Sequence, residues 1–144
     1  MESAQDDAVA QLIMRAVLRL GRRLRAERPR DSVPHSQMAA LTSLARQGPM
    51  PAVRLAEIMR LQPQSLTRLI AALEEDGLIE RERGAYDRRT ITLSITRAGR
   101  MAVRRDLSAR KAWLSRAMAE TLTPEEQALL ATASPLMLRL ADAL

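Results

Sequence analysis

Gln64, Ser65, Thr67 and Arg68 put an amide, two hydroxyls and a guanidinium close together, directly after Pro63. Groups of these types, held on one face, can hydrogen-bond base edges in a DNA major groove. A second set, Asp87-Arg88-Arg89, follows downstream. Its arginines suit phosphates or a narrow minor groove, whose negative potential attracts guanidinium. The Asp87 carboxylate would repel phosphate, so it suits orienting an arginine through a charge-assisted bond. An ordinary solvated turn is the plainer alternative for this segment.

The first set needs a helix to hold it. Leu66, Leu69, Ile70 and Leu73 recur at i, i+3, i+4 and i+7, the spacing of one buried stripe. That leaves Gln64, Ser65, Thr67, Arg68, Ala71 and Ala72 on the other face. Gly77 closes the helix, free to take the left-handed C′ position, and Leu78 packs back on its last turn. The period then becomes two. Leu78 to Arg83 reads as one strand and Thr90 to Ile95 as a second, with Ile91, Leu93 and Ile95 inward and Thr90, Thr92 and Ser94 outward. Gly84 to Arg89 joins them as a basic hairpin tip.

Upstream, Ser3 to about Arg28 reads as a long amphipathic helix bearing Val9, Leu12, Ile13, Val17, Leu20 and Leu24, stopped by Pro29. Ser36 to Gln47 forms a second helix on Met38, Leu41, Leu44 and Ala45, and His35 reads as a helix-start residue rather than a ligand. Pro51 opens a third helix that buries Val53, Leu55, Ile58 and Met59, and Arg60-Leu61-Gln62 turns the chain into the Leu66 helix. Downstream, Thr96 caps a long fifth helix to about Glu120, with Val103, Leu107, Leu114 and Met118 on one face. Thr123-Pro124-Glu125-Glu126 is a capping-box start for a last helix, in which Pro135 predicts a kink or break near Ala133.

The runs Ser65-Leu66-Thr67-Arg68-Leu69-Ile70, Leu73-Glu74, Gly77-Leu78-Ile79, Asp87-Arg88-Arg89 and Leu93-Ser94-Ile95-Thr96-Arg97-Ala98-Gly99 together resemble the multiple antibiotic resistance regulator (MarR) family of winged-helix transcription factors. The resemblance covers nearly the whole chain, with one departure: Gln62 stands where the family often has a capping Ser or Thr. It implies a mainly α fold with a small β-hairpin, a winged helix-turn-helix over residues 34–99 and long N- and C-terminal dimerisation helices over 1–30 and 100–144. It also implies that Gln64, Ser65, Thr67 and Arg68 read bases, that Arg89 enters the minor groove and that Arg88 meets the backbone. Arg68 keeps two further options, a phosphate or Asp87, and Tyr86 is either a phosphate donor or a packed ring. Trp113 lies near where relatives bind small aromatic anions, and core packing competes with that role. No motif assigns ligand-binding residues.

Composition narrows the classes. A length of 144 residues gives one domain. The formal charge of +6 rests on 23 basic side chains, of which only Lys111 is not arginine, and favours a polyanionic partner such as double-stranded DNA. With no cysteine, thiol redox sensing and disulfides are excluded, and with a single histidine a multi-histidine metal site is not expected. No nucleophile with a base, paired carboxylates or glycine-rich phosphate loop supports an enzyme, and no cofactor is expected. No stretch reaches a membrane span or has signal-peptide order, so a cytoplasmic protein is expected.

The terminal helices are too apolar to remain bare, and a homodimer that interleaves them is the economical cover. Such a dimer would set two reading helices about one DNA turn apart on a pseudo-palindrome. The expected function is a sequence-specific repressor released by a small aromatic or anionic effector. The alternative is a winged helix used as a protein-interaction or structural module, without operator binding.

Overall fold

The computed structural model describes residues 2–83 and 91–143, the side chains of 2–5 and 83 excepted. They form two compact units, one spanning Pro29–Ser108 and the other Met1–Arg28 with Ala109–Leu144.

The first unit contains α2 (His35–Gln47), β1 (Met50–Pro51), α3 (Ala52–Met59), α4 (Pro63–Glu75), β2 (Ile79–Arg83), β3 (Ile91–Ile95) and the opening of α5 (Arg97–Thr121). His35 is the first residue of α2, and Gly48 ends that helix at φ 83, its N–H donating to the Leu44 carbonyl at 3.0 Å. Leu41 and Leu44 of α2, Leu55 of α3, Leu73 of α4 and Leu93 of β3 are fully buried together. Each such leucine contributes roughly 1.5–3 kcal/mol through burial.

The strands form an antiparallel sheet in the order β1-β3-β2, with Met50 opposite Leu93 and Arg81 opposite Leu93 on the other side. The hairpin expected from sequence is therefore three-stranded. Two residues including a proline carry no alternation, so β1 leaves no signal in the sequence. Pro51 consequently precedes α3 as its N-cap residue instead of opening the helix. As the central strand, β3 also buries Ser94, expected outward, while Ile91 at its start stays 38 % exposed.

Two further positions differ from the burial expected of them. Val53 is 70 % exposed, because the short α3 turns only Leu55 fully inward. On α5, Val103 is buried but Leu107 is exposed, and Asp106 takes the inner position. The Ser32 hydroxyl donates to Asp106 Oδ1 at 3.2 Å, so the 29–34 loop presents polar groups to that side of α5.

The second unit holds α1 (Glu2–Ala26), the rest of α5 and α6 (Pro124–Ala141). The capping box is made: Glu126 N–H donates to Thr123 Oγ1 at 3.3 Å, and Thr123 N–H donates to Glu126 Oε2 at 2.8 Å. Gln127 Nε2 donates to the Met118 and Leu122 carbonyls, fastening the start of α6 to the end of α5. Of the kink or break expected near Ala133, a break does not occur, since α6 runs as one helix through Pro135. Proline removes one ladder bond there, and the bonds on either side suffice to carry the helix on. Apolar side chains remain uncovered along α1 and α6, among them Leu12, Ile13, Leu136 and Leu140. No described helix is long and apolar enough to cross a membrane.

Candidate nucleic-acid interface

Helix α4 is oriented by its own stripe. Leu66, Leu69, Ile70 and Leu73 are buried, which forces Gln64, Ser65, Thr67, Arg68 and Ala71 to the surface. The Thr67 hydroxyl donates to the Pro63 carbonyl at 2.9 Å, so its oxygen keeps its capacity to accept, and the residue is exposed. Arg68 is exposed and has no ion-pair partner among the described residues; Asp87, the partner also expected for it, lies outside them.

The N-terminus of α4 is bare. Gln62 is the N-cap residue but its side chain makes no capping bond, and Pro63 at the first helical position has no N–H. The first-turn N–H groups of Gln64 and Ser65 thus add positive potential beside the polar face. The other end is closed tightly: Leu78 N–H donates to the Leu73 carbonyl at 2.8 Å and Gly77 N–H to Glu74 at 2.9 Å, with Gly77 at φ 66. This is the left-handed closure expected of Gly77.

Two contacts fix the wing to the helix. Arg81 Nε of β2 lies 2.7 Å from Glu74 Oε1 of α4, with both side chains partly buried. Thr96 N–H donates to the Leu78 carbonyl at 3.0 Å, while the Thr96 hydroxyl reaches Gly77. Gly99 is buried where a Cβ would collide with the Leu78 carbonyl and the Ile95 side chain. Sequence reading found the Thr96 and Gly99 spacing without these roles, and missed the Glu74–Arg81 pair, whose members stand on different elements. Tyr86, Asp87, Arg88, Arg89 and Thr90 lie outside the described residues; the strands leading to them end at Arg83 and resume at Ile91.

In the other unit, Trp113 is half-buried, with the Arg23 guanidinium 5.2 Å above its ring, and it lines an apolar cavity of about 440 Å³ with Leu20, Met118, Leu130 and Met137. Near the start of α5, Arg105 Nη1 lies 2.7 Å from Asp31 Oδ2 and holds that carboxyl below its ordinary pKa.

Comparison with known proteins bears on this geometry. The profile of the MarR family matches residues 33–91, which run from just before α2 to the first residue of β3. An HTH-type transcriptional regulator of Mycobacterium bovis, itself uncharacterized, is 38 % identical over 137 residues, covering 95 % of both chains. The HTH-type transcriptional repressor MdtR of Bacillus subtilis is 34 % identical over 97 residues, 67 % of this chain and 62 % of its own. A crystal structure from Pseudomonas aeruginosa, assigned there as a transcriptional regulator, superimposes with a TM-score of 0.84 at 37 % identity, covering 97 % of this chain and 99 % of that one.

Proposed function

Because the chain belongs to the MarR family of HTH-type transcriptional regulators, we propose that it is a homodimeric, sequence-specific repressor of a pseudo-palindromic operator. The carrying observation is the face of α4: four hydrogen-bonding side chains, Gln64, Ser65, Thr67 and Arg68, exposed because the opposite stripe is buried. Gln64 and Ser65, nearest the uncapped N-terminus, read base edges. Thr67 and Arg68 continue that face, and Arg88 and Arg89 of the wing contact backbone and minor groove with Asp87 orienting them. Repression is supported by similarity to MdtR, a named repressor.

Dimerisation rests on the uncovered apolar faces of α1 and α6, which a second copy buries by interleaving residues 1–30 and 100–144 with its own. A small aromatic or anionic effector releases the DNA by favouring a spacing of the two reading helices that no longer matches one DNA turn. The protein works in the cytoplasm, with the chromosome as its target and no catalytic chemistry.

A gel shift with duplex DNA from upstream of the protein's own gene tests the reading. Retention of that duplex against an excess of scrambled DNA is expected. Equal binding to both leaves a non-specific basic protein, and no binding to either favours a winged helix that serves protein interaction.

A further inference from the structure

We propose that Arg60, in the turn between α3 and α4, is a contact to the DNA phosphate backbone beside the recognition helix, an assignment that rests on the DNA-binding function proposed above. Arg60 adopts φ 52 and ψ 43, and it is the one non-glycine residue with positive φ among those described. That conformation crowds a Cβ against the following carbonyl, whereas glycine enters it freely.

The turn itself asks nothing of the side chain. Arg60 N–H donates to the Glu57 carbonyl at 3.2 Å and Leu61 N–H to Ala56 at 3.0 Å, both backbone bonds that a glycine at position 60 would keep. Leu61 packs against the core and fixes the turn, leaving Arg60 and Gln62 exposed on either side. The acid one turn back, Glu57, is engaged by Arg54 at 3.2 Å. Among the described residues the Arg60 guanidinium has no ion-pair partner.

A strained backbone that carries a cation with no ion-pair partner among the described residues points to a partner outside the fold. The position selects which one. Arg60 is exposed and stands ahead of α4, outside the helix that carries Gln64, Ser65, Thr67 and Arg68, which suits a contact at the groove's edge rather than with a base. Guanidinium offers a planar fork of donors matched to phosphate oxygens, and such contacts fix register without reading sequence.

The test uses the full chain with Arg60→Gly and Arg60→Lys, measuring thermal unfolding and salt titrations of binding to the upstream duplex and a scrambled duplex. Arg60→Gly should raise Tm by about 2 to 4 °C, since its strain is gone. It should also weaken binding to both duplexes by the same factor and flatten the slope of log K against log salt by about 0.9 per arginine removed. Arg60→Lys should keep the slope. The proposal is overturned if Arg60→Gly leaves affinity and slope unchanged, if weakening is confined to the upstream duplex, or if Tm falls. Failure of the wild-type chain to bind either duplex overturns the proposed function itself, and is seen before any variant is compared.

Discussion

The Thr96 hydroxyl donates to the Gly77 carbonyl at 2.7 Å and accepts the Gly99 N–H at 3.1 Å, so the residue that caps α5 also holds the glycine that ends α4. Thr96→Val keeps the shape and removes both bonds. It should cost about 1–2 kcal/mol in urea unfolding. Gly99→Ala should cost more, about 1–3 kcal/mol, because its Cβ meets the Leu78 backbone as well as a side chain. A Gly99→Ala chain as stable as wild type would mean that α5 shifts freely on the sheet.

The reading helix and the wing should fail differently. Gln64→Ala or Ser65→Ala should lower preference for the operator by roughly 1–3 kcal/mol with non-specific binding nearly intact. Arg88→Ala or Arg89→Ala should weaken all DNA binding and flatten the salt slope by about one unit for each phosphate no longer neutralised. Asp87→Ala should also weaken binding, although it removes a negative charge, if Asp87 orients a wing arginine as proposed. Tighter binding by Asp87→Ala in salt titrations would remove the wing as a second DNA-binding element.

The Glu74–Arg81 pair should act on wing placement more than on stability. Its members are 29 % and 42 % exposed, so a double-mutant cycle in thermal unfolding should give a coupling below about 1 kcal/mol. Arg81→Ala should nonetheless reduce DNA affinity, since β2 leads to the wing tip. Unchanged affinity would show that the Thr96 bonds alone set the wing.

Leu12 and Leu140 are 63 % and 65 % exposed in the single chain, so replacing either with glutamate should leave the protomer folded. If these faces pair, each substitution forfeits about 1.5–3 kcal/mol of burial per leucine and raises the dimer Kd at least tenfold. Sedimentation at micromolar concentration should find wild type dimeric and both variants shifted toward monomer. A wild-type monomer would remove the dimer reading.

Asp31, exposed beside Arg105, has its folded pKa lowered below the ordinary 3.8, chiefly by its hydrogen bond to that guanidinium. The sign follows from linkage: a lowered carboxyl pKa adds stability that is complete above the unfolded value and disappears as pH falls through the folded one. The Tm difference between wild type and Asp31→Asn should therefore hold constant from neutral pH to about pH 4 and close below it. A difference that grew on acidification would contradict the pair.

The sequence by itself determined what depends on neighbours along the chain. The α4 stripe, the Gly77 closure, the Thr96 cap and the Thr123 capping box are all set by residues within a few positions of one another, and each formed as read. The MarR resemblance was legible for the same reason, since its motifs sit on these local features. Tertiary structure decided what depends on partners distant in sequence. Ser94 is buried because β1, far earlier in the chain, sets Met50 against Leu93 and makes β3 the central strand, and no alternation pattern reports so short a neighbour. Asp106 displaces Leu107 from the inner face because Ser32, 74 residues away, brings a hydroxyl to it. Arg60 takes a glycine's conformation because Leu61 and two backbone bonds fix the turn whatever side chain stands there. Burial and register are sums over distant contacts, whereas caps and stripes are local, and that division separates what could be read from what had to be seen.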